Sequence, residues 1–287
     1  MKPIKIQILV FILCCLMSIQ VNSQAQLVKI DLFSNGNKLN AEVYPVTSDK
    51  YLPAIILLHG YPAREGDLLG LGEKLSSLGI VVLIFNYQGT WSSEGEFSFE
   101  NSMEDVGTAI KFLKKKENIG RFLIDTSNIV VGGHSLGGAM ALTAAIYNTE
   151  IKRIISIAGA DESVFGRKML ADQGFRDMFE PWLKTAVYPE GPVKFNFESH
   201  QNYLFSNLDR FDQVKHAEAL KNKDILYIGG WKDQGVILEE HIIPLYRKLQ
   251  ELNANNVEII VFNTDHDFKN VREELTETIY NWIITKD

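Results

Sequence analysis

Short, largely apolar runs alternate along this chain with segments whose apolar residues recur every three to four positions. Residues 53–58, 80–85, 129–131, 154–158, 224–228 and 257–262 are of the first kind, bounded by Gly, Asn, Asp or Pro. Runs of that length suit strands buried on both faces. Residues 67–78, 101–115, 136–147, 238–252 and 270–284 carry the helical period. Residues 26–46 alternate polar with apolar around Ser34-Asn35-Gly36-Asn37. Asn-Gly is a strong hairpin signal, so two antiparallel strands open the domain. Strands alternating with helices predict an α/β fold: a mostly parallel, twisted sheet flanked by helices, with right-handed crossovers. No internal repeat or low-complexity linker interrupts it.

One interval breaks the rhythm. Residues 161–223 separate two strands by far more than one helix requires, and they are rich in aromatics such as Phe165, Phe175, Phe179, Trp182 and Phe195. An excursion this long predicts a mostly helical cap inserted over the strand ends. The N-terminus departs differently. Lys2 and Lys5 precede an almost unbroken apolar stretch over 6–19, and Val21-Asn22-Ser23 supplies small residues at cleavage spacing. That is the layout of a secretory signal peptide at 1–23. The stretch is short for a membrane span, which needs about 20 residues. A domain over 24–287, secreted or periplasmic, is therefore expected, with an uncleaved membrane anchor as the alternative and no stable insertion after cleavage.

The composition, 46% hydrophobic and 23% charged, is that of a globular domain. Both cysteines, Cys14 and Cys15, fall in the leader, so the mature chain would form no disulfide and hold no thiol nucleophile. Loss of Lys2 and Lys5 would take the formal charge from −7 to −9. A mildly acidic chain without a basic run is a poor nucleic-acid binder, and none is expected as partner. His200, His216 and His241 lack metal-ligand spacing with acidic neighbours, so neither a metal nor an organic cofactor is expected.

The chemistry concentrates in Gly133-His134-Ser135-Leu136-Gly137, a G-x-S-x-G between an apolar run and the helix-forming Ala139–Ala145 stretch. A serine at a sharp strand-to-helix turn presents its hydroxyl above the sheet. It needs a histidine base and an acid to become a nucleophile. Taken with His59-Gly60-Tyr61-Pro62, Gly229-Gly230-Trp231-Lys232-Asp233 and Thr264-Asp265-His266-Asp267-Phe268, the chain resembles the α/β-hydrolase superfamily. Residues 86–98 look like the corresponding loop of its prolyl-oligopeptidase-like and acyl-hydrolase members, although many relatives carry arginine where this chain has Gln88.

The resemblance implies a triad in the chain order nucleophile, acid, histidine: Ser135, Asp233, His266. Asp161, after an earlier strand, is the rival acid. Asp265 and Asp267 are expected to shape the turn or cap the next helix. Backbone N–H groups of Leu136 and Tyr61 are the expected oxyanion donors. Gly60 is expected to allow a tight turn, and His59 and His134 to hydrogen-bond locally. The implied activity is cleavage of a small-molecule carboxylic ester through an acyl-enzyme. The alternatives are a peptidase or amidase acting on short peptides, or a catalytically inactive binding protein on the same fold. An aminopeptidase would need a carboxylate for the substrate ammonium group, for which Glu94, Glu96 and Glu162 are candidates. A dehalogenase is disfavoured by a serine at the nucleophile position.

Overall fold

The computed structural model describes residues 27–62 and 66–285, so the leader and its two cysteines lie outside the described residues. Eight strands form one sheet in the order β1-β2-β4-β3-β5-β6-β7-β8. They are β1 (Val28–Ser34), β2 (Asn37–Tyr44), β3 (Leu52–Leu58), β4 (Val81–Phe85), β5 (Ile124–His134), β6 (Arg153–Ile157), β7 (Asp224–Gly230) and β8 (Val257–Phe262). The opening hairpin pairs Ser34 with Asn37 across Asn35 and Gly36, both at positive φ. β2 then runs antiparallel to β4, and every later pairing is parallel.

Two cores account for the apolar runs. Along β3, Ala54, Ile56 and Leu58 face one core while Ile55 and Leu57 face the other. The first core holds α2 (Phe99–Leu113) and α4 (Leu136–Tyr147); the second holds α1 (Leu71–Ser77) and α12 (Arg272–Thr285). The parallel strands are covered on both sides, which is why they read as continuous hydrophobic runs.

Several boundaries differ from the sequence reading. α1 begins at Leu71, not at residue 67: Gly70 sits at φ 74°, and the Asp67 carboxylate accepts the amides of Gly72 and Glu73 from outside the helix. The expected helix 238–252 is broken into α10 (Leu238–His241) and α11 (Ile243–Glu251), with Pro244 in the first turn of α11. A proline ring there cannot continue the preceding turn. The last helix starts at Arg272, after a short 3₁₀ turn at Lys269–Val271. α3 (Lys116–Phe122) is unforeseen, because its charged face hides the helical period.

The interval between β6 and β7 is helical: α5 (Glu162–Ala171), α6 (Gln173–Lys184), α7 (Phe197–Ser206), α8 (Leu208–Phe211) and α9 (Ala217–Leu220). Phe211, Ala217 and Leu220 are buried in the first core, whereas α6 has no buried residue. Backbone bonds from Trp91 to Pro192, Phe97 to Lys194 and Lys194 to Gly89 fasten the interval to the loop after β4.

Candidate active site

β5 delivers Ser135 to a turn with φ 58° and ψ −121°, an unfavourable conformation for a residue with a side chain. Surroundings fix it: its N–H donates to Ile157 at 2.9 Å, and its carbonyl accepts from Ala139 at 3.0 Å. The flanking glycines are required by close approach. A Cβ on Gly137 would sit 2.0 Å from the Leu58 carbonyl oxygen, so only glycine lets α4 start so near the end of β3. Gly60 approaches the serine closely from the other side. A Cβ there would lie 3.1 Å from Ser135 Cβ and 3.2 Å from the His134 oxygen. The loop carrying Tyr61 therefore lies directly against the serine. Leu136 is the first residue of α4, and an N–H at that position has no acceptor within its own helix.

Asp233 follows β7 and His266 follows β8, neighbouring parallel strands. Asp233 Oδ1 accepts the amides of Gly235 and Val236, each at 2.8 Å. Its Oδ2 accepts from His266 Nδ1 at 2.6 Å, leaving Nε2 free for a reacting partner. Burial pushes the Asp233 carboxyl up, but the His266 contact and the two amides outweigh it and hold the pKa below the ordinary value. Ser135 Oγ and the His266 ring share no hydrogen bond among the described contacts; such contacts often tighten only around substrate.

The rival acid is engaged elsewhere. Asp161 Oδ1 caps α5 through the amides of Ser163 and Val164, and its Oδ2 accepts from Gln213 N–H at 3.1 Å. Asp265 accepts the Asp267 amide at 3.2 Å and Asp267 pairs with Lys269, so both shape the turn. His134 has a more specific place than the sequence suggests. Its Nε2–H donates to the His266 carbonyl at 2.7 Å, and the two rings lie 4.6 Å apart. Burial and the neighbouring His266 charge lower its pKa to about 4, so it is a neutral strut. His59 is another: Nδ1–H donates to the Gly60 carbonyl, Nε2 faces the Tyr87 amide, and burial lowers its pKa to about 4.

Tyr61 also reaches outward. Its hydroxyl donates to the Leu183 carbonyl in α6 at 2.7 Å, and its ring meets Trp182 edge-on at 5.9 Å. From Trp182 a stacked series continues through Phe179 to Phe165 and Phe175. Gln88 is buried on Asp105, donating through its amide N–H and its side chain at 2.8 and 2.7 Å. With no cation in that place, burial raises the Asp105 carboxyl to about 6. Glu162 was legible only as a charged loop residue; it is buried.

Among the described residues no cluster of three or more His, Cys, Asp or Glu is disposed to hold a metal ion, and no helix is long and apolar enough to cross a membrane.

Comparison with known proteins bears on the fold and the family. The thiohydrolase aneE of Aspergillus aculeatus is 30% identical over 143 residues, covering 48% of this chain and 43% of that protein. Cutinase est1 of Thermobifida alba is 24% identical over 197 residues, covering 66% of this chain and 62% of that protein. The chain thus matches less than two thirds of the length of either. The Pyrococcus furiosus esterase Pf2001 superposes with a TM-score of 0.65 at 19% identity, over 90% of each chain. The model of the prolyl oligopeptidase family matches residues 73–286. A parallel sheet with an antiparallel N-terminal hairpin, a serine elbow after β5 and that family match lead to one assignment: the chain belongs to the prolyl oligopeptidase family, on the α/β-hydrolase fold.

Proposed function

We propose that this protein is a secreted serine hydrolase that cleaves small carboxylic esters through an acyl-enzyme intermediate. The observation that carries the reading is the 2.6 Å contact between His266 Nδ1 and the buried Asp233 carboxylate, with the strained Ser135 elbow on the same sheet edge. Ser135 Oγ attacks the acyl carbon as His266 Nε2 takes its proton; the proton then passes to the leaving alcohol. Asp233 fixes the imidazole tautomer and stabilises the imidazolium. The N–H groups of Leu136 and Tyr61 receive the developing oxyanion. A water molecule, activated by the same imidazole, releases the acid. The interval 161–223 serves as the cap, with the aromatic series ending at Tyr61 as the apolar wall of the pocket. The esterase and cutinase activities named among similar proteins favour an ester over an amide.

A fluorophosphonate probe tests this directly. It should label wild-type protein on Ser135, and Ser135→Ala should lose the label while keeping its unfolding temperature. Labelling that persists in Ser135→Ala would overturn the assignment. Secretion has its own test: mass spectrometry of the exported protein should find an N-terminus near Gln24, and recovery of peptides containing Cys14 and Cys15 would favour an anchor.

A further inference from the structure

β5 ends at His134, and β8 lies three strands further along the sheet, yet one side chain joins their ends. His134 Nε2–H donates to the His266 carbonyl at 2.7 Å. Among the described residues no backbone N–H is bonded to that oxygen. The next two carbonyls are also held from outside the loop: Arg272 donates to Asp267 at 2.6 Å and to Phe268 at 3.1 Å. Three successive carbonyls of the loop that carries His266 therefore rest on two side chains. Phe268 anchors the same loop from below, fully buried in the second core at φ 54°. The His134 ring lies 4.6 Å from that of His266 and 6.1 Å from that of Phe268.

Asp233 grips His266 by its ring, but that contact leaves free the main chain from which the ring swings. A histidine side chain turns about two torsions, so the place of Nε2 relative to Ser135 depends on both anchors. The second anchor is supplied by the residue peptide-bonded to the nucleophile. Its own backbone is fixed, because Ser135 is bonded to Ile157 and to Ala139. Elbow and base, far apart in sequence, are thereby set in one frame. The chemistry required at position 134 is narrow. The group must donate at imidazole reach, since an aliphatic side chain would leave the His266 oxygen unsatisfied. It must also stay neutral, because a cation there would oppose the imidazolium that His266 becomes as it takes the serine proton. Burial, His266 and Arg272 all disfavour a charge on His134, against Asp233 and the hydrogen bond to the His266 carbonyl.

We propose that His134 is a positioning residue for the base: its hydrogen bond to the His266 main chain holds the His266 ring in line with Ser135 and thereby sets kcat. The inference rests on the reading of Ser135 as nucleophile and His266 as base. His134 touches neither substrate nor the transferred proton. It acts through the loop, and its loss lets that loop shift while Asp233 still holds the ring. A displacement of about 1 Å in a reacting group is enough to cost on the order of 100-fold in rate. Substrate binding, which does not depend on the base, is left as it was.

The test measures hydrolysis of p-nitrophenyl butyrate well below the melting temperature of each protein. His134→Leu should lower kcat on the order of 10–100-fold with KM changed by no more than about twofold. Labelling of Ser135 by a fluorophosphonate should slow alongside, since the probe reports the nucleophile without the ester. His134→Gln, whose amide N–H reaches about as far as Nε2, should recover most of both rates. A residue that only supports the fold would lower the melting temperature without separating kcat from KM. Should His134→Leu fail to fold, proton–nitrogen NMR of the wild type decides: His134 must carry its proton on Nε2, protected from solvent, and a proton on Nδ1 instead overturns the proposal. An unchanged kcat in folded His134→Leu, with wild type active, overturns the positioning role and leaves the serine hydrolase reading intact. If wild type neither hydrolyses the ester nor takes the label, the reading of Ser135 fails, and the positioning role falls with it.

Discussion

Asp233 and Asp161 are both buried aspartates just past strand ends, and the sequence alone separates them only by position in a motif. Their partners separate them physically. Asp233→Asn keeps the shape of the group but removes the charge that stabilises the imidazolium; kcat should fall on the order of 10⁴. Asp161→Ala should leave kcat within a small factor and instead cost about 1 kcal/mol of stability through the lost N-cap. Steady-state kinetics and thermal melts on the two variants decide it, and reversed effects would move the acid to the end of β6. Gly60→Ala makes a sharper local test. Its methyl group would press on Ser135 Cβ at 3.1 Å and on the His134 oxygen, so activity should drop much more than melting temperature. A glycine in His-Gly-Tyr-Pro is readable as a turn; that its missing side chain makes room for the serine is not, because the contact spans residues far apart in sequence. Burial of Glu162 escaped the sequence for the same reason: what covers it comes from other segments.

Elements were legible where one pattern dominated. The sequence reading of α4 and of β8 coincides with the structure, since the first is apolar almost throughout and the second is a bounded apolar run. It slipped where local chemistry overrode periodicity, at the outside cap by Asp67 and at the proline that splits α10 from α11. β5 begins at Ile124, before its apolar run, because its first half carries the polar Asp125-Thr126-Ser127-Asn128. The contact between α6 and the loop carrying Tyr61 could not be read at all. α6 buries none of its residues, and its ties to the body include the ring stack and the Tyr61 hydroxyl. Tyr61→Phe keeps the ring and deletes the hydrogen bond, worth about 1 kcal/mol. Proteolysis within Gln173–Lys184 should then quicken severalfold while the global melting temperature hardly changes. Unaltered cleavage would show that the bond does not hold α6.

At the scale of the whole molecule, buried titratable groups set how stability depends on pH. Burial lowers His59, His134, His200 and His241 to about 4 from the ordinary 6.5. Between those values the unfolded chain binds protons that the folded chain refuses, so stability falls as pH drops below about 6.5. Glu162 and Asp105 act in the opposite sense: raised to about 8 and about 6, they keep protons that the unfolded chain releases, so their contribution falls as pH rises. Four histidines outweigh two acids below 6.5, and between 6.5 and about 8 Glu162 prevails; above about 8 Lys223, lowered by burial to about 8 from 10.5, makes stability rise with pH. The melting temperature should therefore pass through a maximum near pH 6.5 and decline towards pH 5 and towards pH 8, and a steady rise from pH 6.5 to 8 would contradict the assignment. Glu162→Gln should flatten the decline between pH 6.5 and 8 and steepen the one below 6.5. The overall architecture was legible because strands covered on both faces leave a continuous apolar record. Within the insertion, however, the sequence did not distinguish residues that complete the main core, such as Phe211 and Leu220, from α6, which buries nothing. That division bears on how such a molecule diversifies. A helix whose replacement leaves the core intact can change over generations at almost no cost to folding, so substrate preference is free to drift while the catalytic machinery stays as it is.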